Sequence, residues 1–270
     1  MLLSVATATF YDKPFSETLR IIKQAGFEHI ELDLYWQGGD HWKMAQHLEG
    51  IEPHDVLRMI DDTGLHIASI HDGSGVIEDD ADSAIDPSVF EYIDRLSGKI
   101  ECLVLHAPHK KTKNGDAWWE AYQHKFIKDL ADMKQYCNVL CVENLPMFDQ
   151  YYVSLVHADE LYQFALNQDV FINFDTTHYA QNDIDIFDAL NIVYPRVKSI
   201  HLSDYRERKA HVYVGHGDLK LTEFIRKVAN SHVYSLTLEC DIKKDADGVI
   251  DSLKLAKMFV ENALSGDYEL

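Results

Sequence analysis

The stretch RVKSIHLSDYRERKAHVYVGHGDL, residues 196–219, opens as an apolar strand-like run, VKSIHL, and ends its regular alternation on a histidine. A strand whose only task is to fill a core has no use for an imidazole at its tip. The pattern recurs in HIASIHDG (66–73), CLVLHAPH (102–109), VLCVENLP (139–146), VFINFDTTHY (170–179) and YSLTLECD (234–241), each of which reaches His, Glu or Asp as its apolar run closes. With LSVATAT (3–9) and HIELDL (29–34) these make eight strand candidates. Between them lie helix-like segments, from SETLRIIKQAG and PHDVLRMIDDTG to IDIFDALNI and LTEFIRKVANS, and VIDSLKLAKMFVENAL follows the last strand. Several open on Ser, Asp or Pro and close on Gly or Asn, as helix ends do.

Eight strands, each followed by a helix, predict an α/β chain folded as a single (β/α)8 TIM barrel. No linker or compositional break divides the sequence, so residues 1–270 are expected to form one barrel domain. An open, doubly wound sheet is the competing arrangement, and the lack of a GxGxxG turn after the first strand argues against it.

Strand parity sharpens the reading, because neighbouring residues of a strand point to opposite faces. Leu140 and Val142 share one face, while Val139, Cys141 and Glu143 share the other. Ile172 and Phe174 oppose Phe171, Asn173 and Asp175; Leu236 and Leu238 oppose Ser235, Thr237 and Glu239; Ser199 goes with His201. One face is apolar and suits covering helices, and the other suits a barrel lumen. Glu143, Asp175, His201 and Glu239 therefore point inward at the carboxyl ends of four consecutive strands, where barrel enzymes keep their active sites. His71 and His106 do the same on strands three and four, and Glu31 and Asp33 are inward on strand two.

Three carboxylates converging inside a barrel cannot all stay ionised without a compensating positive charge. With one imidazole they form a mixed oxygen and nitrogen set that suits one divalent cation, Mn²⁺, Mg²⁺, Co²⁺ or Zn²⁺. Composition sets the other bounds. The formal charge of −20 argues against a nucleic-acid surface, which needs clustered Lys and Arg. No stretch approaches the roughly 20 apolar residues of a membrane helix. The start, MLLSVATATFYDK, has no basic region of the kind that opens a signal peptide. Four cysteines in so long a chain are expected to be buried free thiols, which fits a cytoplasmic protein. His41, His47, His54, His124 and His157 share no spacing and read as surface residues.

The short motifs VEN (142–144), FDTTH (174–178), HLSD (201–204), HVYVGHGDL (211–219) and LEC (238–240) together resemble the xylose-isomerase-like barrels. That group includes sugar phosphate isomerases and epimerases, certain dehydratases and endonuclease IV. The resemblance runs from GFEHIELDL (26–34) to Glu239 and implies a metal held by Glu143, Asp175, His201 and Glu239. It implies that Glu143 and Glu239 act as the catalytic proton-transfer pair, and that His178 contacts substrate or a second metal. His71, His106 and His211 are then expected at the substrate, and Asn144 on the substrate or on loop backbone. Endonuclease IV is similar at His71, His106, Glu143, Asp175, His178, His201, His211 and Glu239, but Lys209 stands where it has an aspartate, which opposes a third metal.

The implied activity is a metal-dependent isomerase or epimerase of a sugar or sugar phosphate, working by proton abstraction next to a carbonyl through a metal-stabilised enediolate. Alternatives are a dehydratase of a cyclic polyol or keto acid, a multi-zinc phosphodiesterase, and a silent barrel that only binds. The expected partner is a small carbohydrate, with neither nucleic acid nor membrane; a homo-oligomer is compatible with the sequence. VGHGDL places Gly215 and Gly217 in the loop after strand seven, where barrels often present backbone amides to phosphate, so both are expected at the substrate or, equally, in a tight turn before the helix that begins at Leu219.

Overall fold

The computed structural model describes residues 1–38, 41–74, 85, 87–96, 100–112, 114–148, 151–242 and 248–266. Eight parallel strands close into a barrel: β1 (Leu2–Ala6), β2 (His29–Asp33), β3 (His66–Asp72), β4 (Cys102–His106), β5 (Val139–Glu143), β6 (Phe171–Asp175), β7 (Val197–Leu202) and β8 (Ser235–Leu238). Each strand pairs with its sequence neighbours, and β1 pairs with β8 from Leu2↔Ser235 to Val5↔Leu238, which shuts the sheet. The helices are α1 (Phe15–Gln24), α2 (Pro53–Thr63), α3 (Pro87–Leu96), α4 (Gly115–Met133), α5 (Ala158–Gln168), α6 (Thr176–Gln181), α7 (Ile186–Val193), α8 (Leu221–Val228) and α9 (Val249–Ser265).

Local chemistry explains the boundaries. α2 starts with proline in its first turn and stops at Gly64, whose φ of 67° is left-handed. α7 is capped by Asp185, which accepts from the N–H groups of Phe187 and Asp188. In α8, Leu221, Phe224, Ile225 and Val228 recur at helical spacing and are all buried against the barrel. Phe224 meets Phe174 of β6 at a ring separation of 5.3 Å. Burying such a side chain stabilises the fold by roughly 1.5–3 kcal/mol.

The lumen is small and partly polar. Cys102, Val104 and Cys141 pack together inside it, and hydroxyls pair between neighbouring strands, Ser4 with Thr237 and Ser199 with Ser235, both at 2.9 Å. A one-residue bulge on β7 separates the Ile172↔Val197 and Asn173↔Ser199 pairs; beyond it Asp175 stands level with His201. A similar bulge on β3 leaves Glu31 beside Ser69 and Asp33 beside His71.

The first strand is shorter than LSVATAT suggests. It ends at Ala6, and Thr7–Phe10 turn into a 3-10 helix. Thr7 and Ala8 are captured there by Asp33, which accepts from the Thr7 hydroxyl at 3.1 Å and the Ala8 N–H at 2.8 Å. Three antiparallel ribbons that the alternating pattern does not announce occupy loops: 35–38 with 41–44, 109–111 with 151–153, and 204–206 with 209–212. His47 is not a surface residue. It is buried and stacked on Phe15 at 5.5 Å, because its short turn tucks beneath α1.

Candidate metal centre

Glu143 ends β5, Asp175 ends β6, His201 lies near the end of β7 and Glu239 follows β8 directly. One potential ligand atom from each falls within 4.8 Å of the other three. Nδ1 of His201 is 2.9 Å from Glu239 Oε2 and 3.3 Å from Glu143 Oε2. These contacts are short enough for ion pairs but misaligned for hydrogen bonds, so both Glu143 oxygens, Glu239 Oε2 and His201 Nδ1 are buried without a hydrogen-bond partner among the described residues.

Asp175 shows how the chain assigns its oxygens. Oδ1 caps α6, accepting from Thr177 N–H and His178 N–H at 2.7 Å each and from the Thr177 hydroxyl at 3.0 Å. Oδ2 is left buried and unpaired. Orphaned anionic oxygens in a buried cluster are costly unless a cation answers them. Three carboxylates and an imidazole are a suitable donor set for a divalent ion.

A second layer of partners holds the imidazoles. Nε2 of His201 lies 3.0 Å from Glu31 Oε1, and the other Glu31 oxygen accepts from Ser69 Oγ at 2.6 Å. Nδ1 of His71 lies 3.1 Å from Asp33 Oδ1, which leaves Nε2 3.3 Å from Glu143. Nδ1 of His178 is 2.9 Å from the carbonyl of Asn144, and Nδ1 of His211 is 3.0 Å from the carbonyl of Glu239. Carboxylates and carbonyls that receive one ring N–H fix the tautomer and present the other nitrogen to the site.

The electrostatics follow from this crowding. Burial pulls the pKa of His71 and His201 down, but the surrounding carboxylates outweigh it, Asp33 and Glu143 for His71 and Glu31 and Glu143 for His201, and both end well above the usual value. His178 is raised to about 9, burial being overcome by Asp175 and Glu143. For His106 burial prevails over the attraction of Glu143, and its pKa falls well below the usual value. Burial opposes ionisation of Glu143 and Glu239 as well, yet His201 and its neighbours hold both carboxyls below the usual range. In the metal-free protein, protonated imidazoles therefore balance ionised carboxylates.

The remaining expected residues divide. His71 and His106 gather with Glu143, and His178 and His211 with Asp175, each trio within 4.8 Å. Asn144 is adjacent but turned away from the cavity. Its amide oxygen accepts from Asp175 N–H at 2.9 Å and its amide nitrogen donates to Asp175 O at 3.1 Å, so it clamps the backbone of a ligand residue. Gly215 and Gly217 do not line the cavity over the ring; their N–H groups donate to Asp204.

That cavity, of about 380 Å³, is bordered by Tyr11, Asp33, His71, His106, Leu145, Phe148, His178, His211, Glu239 and Asp241, among others. Sequence reading missed Tyr11, Leu145, Phe148 and Asp241, which sit beyond strand ends where alternation carries no information. It also gave no role to Asp204, whose one signal is its place three residues after His201 in the HLSD motif.

The chain matches the family model described as xylose isomerase-like TIM barrel across residues 19–258. Among solved structures it is similar to 3-keto-D-glucoside 4-epimerase, YcjR, from E. coli, at 18% identity, a TM-score of 0.69 and coverage of 96% of this chain and 99% of that one. It is similar to the probable 3-DHS dehydratase AsbF from Bacillus anthracis, at 18% identity, a TM-score of 0.67 and coverage of 95% and 99%. It is also similar to the IolI protein, described with a binding zinc atom, at 13% identity, a TM-score of 0.68 and coverage of 100% of both chains. A search of curated proteins finds no match. At these identities the structural likeness is one of fold.

Proposed function

The chain belongs to the xylose isomerase-like TIM barrel family, and from that premise we propose that it is a divalent-metal-dependent isomerase or epimerase of a sugar or sugar phosphate. One observation carries the reading: Glu143 and Glu239 approach His201 from β5 and β8 with buried oxygens that lack hydrogen-bond partners, and Glu239 borders a cavity at the carboxyl ends of the strands. Epimerases among the structural relatives support it.

Glu143, Asp175, His201 and Glu239 would hold the cation. When bound, it supplies the positive charge that acidifies a C–H beside a carbonyl. Glu143 takes the substrate proton, being ionised at neutral pH, and Glu239 serves as its counterpart in returning one. His178, tethered to the Asn144 carbonyl, orients a substrate oxygen. His106, kept neutral by burial, lines the same cavity with His71 and His211. A second cation, where one binds, would fall among His71, His106 and Glu143. Proton removal beside a carbonyl would equally begin a dehydration of a cyclic polyol or keto acid, and a dehydratase is among the structural relatives. The free thiols of Cys102, Cys137, Cys141 and Cys240 support a reducing, cytoplasmic setting. No helix among the described residues is long and apolar enough to cross a membrane.

The test is solvent deuterium incorporation into a panel of ketoses, aldoses and inososes, followed by NMR with metal content measured on each variant. Glu143→Gln keeps an oxygen for the cation and loses the base, so exchange falls by about 10²–10⁴ while metal is partly retained. His178→Ala lowers exchange less. Undiminished exchange in metal-loaded Glu143→Gln removes Glu143 from the role of base.

A further inference from the structure

We propose, building on the carbohydrate reading above, that the substrate of this site is a neutral, unphosphorylated sugar or polyol, because the chain's own Asp204 fills the loop that would otherwise take a phosphate. The loop after β7 of a barrel is a frequent phosphate site, built from backbone N–H groups near glycines and a helix start. Such a set of amides exists here, and it is spoken for. Asp204, only 1% exposed, accepts through Oδ2 from the N–H groups of Gly215 at 3.1 Å and Gly217 at 2.8 Å. Through Oδ1 it accepts from Tyr205 at 2.9 Å and Leu219 at 3.0 Å.

A carboxylate has about four lone-pair sites and each amide a single hydrogen, so the arrangement is saturated on both sides. A phosphate entering the loop would have to expel a buried carboxylate and then sit beside its charge. Gly217 fits the same account. A Cβ there would collide with the Asp204 carboxyl and with the Tyr205 carbonyl, so the glycine makes room for an internal anion.

The cavity over the ring points the same way. Its acidic border is Asp33, Glu239 and Asp241, and among the described residues neither Lys nor Arg lines it. Lys209, on the ribbon that carries His211, is directed to Asp241 at 2.6 Å and is largely exposed. A chain of net charge −20 also repels an approaching dianion. A polyol needs hydrogen-bond partners and a cation, which the imidazoles and carboxylates supply; a phosphate needs fixed positive charge or unoccupied amides.

The test has two arms. Metal-loaded protein is assayed by solvent deuterium exchange on D-fructose, D-tagatose and D-psicose and on their 6-phosphate esters. The free sugars should be preferred by about 10²-fold or more in kcat/KM, and an ester that is equal or better overturns the proposal. If neither series exchanges, the isomerase reading fails, and the second arm still judges the substrate charge. Inorganic phosphate is titrated into isotopically labelled wild-type protein while the amide resonances of Gly215 and Gly217 are followed. Unmoved wild-type resonances, with saturable shifts appearing in Asp204→Ser, support the inference. Saturable shifts in the wild type overturn it, and this measurement decides even where Asp204→Ser fails to fold.

Discussion

Replacing Asp175 by Asn tests the proposed centre at the residue where the chain has already decided which oxygen does what. Three donors fix Oδ1: Thr177 N–H, Thr177 Oγ1 and His178 N–H. In Asp175→Asn the amide oxygen takes that position, and the NH₂ group is driven into the place of Oδ2, facing the cation with two hydrogens. Flipping the amide to rescue the ligand would set NH₂ against those three donors. At about 1 kcal/mol for each lost bond the flip costs roughly 3 kcal/mol, more if the donors stay dry. Since about 1.4 kcal/mol is tenfold in an equilibrium constant, metal affinity should fall by roughly 10² from this effect alone. Loss of the negative charge adds to it. The assay is isothermal titration of Mn²⁺ into metal-free wild type and variant, with circular dichroism to establish that α6 and the barrel persist. A folded Asp175→Asn protein binding Mn²⁺ within tenfold of wild type would refute the assignment of Oδ2 as a ligand.

Glu31→Gln should lower metal affinity by about 10–100-fold, the usual effect of removing an outer partner, and nitrogen NMR of His201 should show mixed tautomers; an unchanged single tautomer would count against the Glu31–His201 pairing. Metal uptake at pH 7 should release protons from His71, His178 and His201, measurable by calorimetry in buffers of different ionisation enthalpy, and apparent affinity should rise with pH. The sign is opposite for stability of the metal-free protein: a histidine raised from 6.5 to about 9 stabilises it fully below about pH 6.5, and that contribution disappears as pH rises through about 9. The melting temperature of the metal-free protein should accordingly lose this contribution between pH 6.5 and 9, and a flat profile would show that the imidazoles are not charged. Phe224→Ala, which empties the contact with Phe174, should cost about 3–5 kcal/mol in denaturant unfolding.

The barrel was legible because its strands are short, apolar and separated by amphipathic helices, and because inward parity and strand-end position coincide at Glu143, Asp175 and His201. Those residues needed no knowledge of loops. Glu31 and Asp33 were visible as inward acids, but the pairing of Asp33 with His71 depends on a bulge in β3 that alternation does not reveal, and that of Glu31 with His201 on closure of the barrel. For Asn144 and Gly217 the sequence left two uses open, backbone or substrate for one and turn or ligand for the other. Their sequence neighbourhood marks them as special, yet the partner of each is internal: the backbone of Asp175 for one and the Asp204 carboxylate for the other. A one-dimensional pattern reports that a polar group is buried, and only tertiary pairing reports to whom it is given. The apolar cavity border of Tyr11, Leu145 and Phe148 lies in loops, where neither of the two periodicities operates.

The closure of β8 on β1 has a kinetic consequence. All four proposed ligands come from β5 to β8, the half of the barrel synthesised last, whereas Glu31, Ser69 and Asp33, which steady the imidazoles, come from β2 and β3. The pairing that joins the ends spans contacts such as Leu2↔Ser235, among the longest sequence separations in the molecule. Long-range closures are slow and tend to come late. A cation should therefore find its ligands held in place by those partners only after the two halves meet, leaving the refolding rate nearly unchanged and slowing escape from the native state. The metal would act as a latch on a finished barrel rather than as a seed for its assembly.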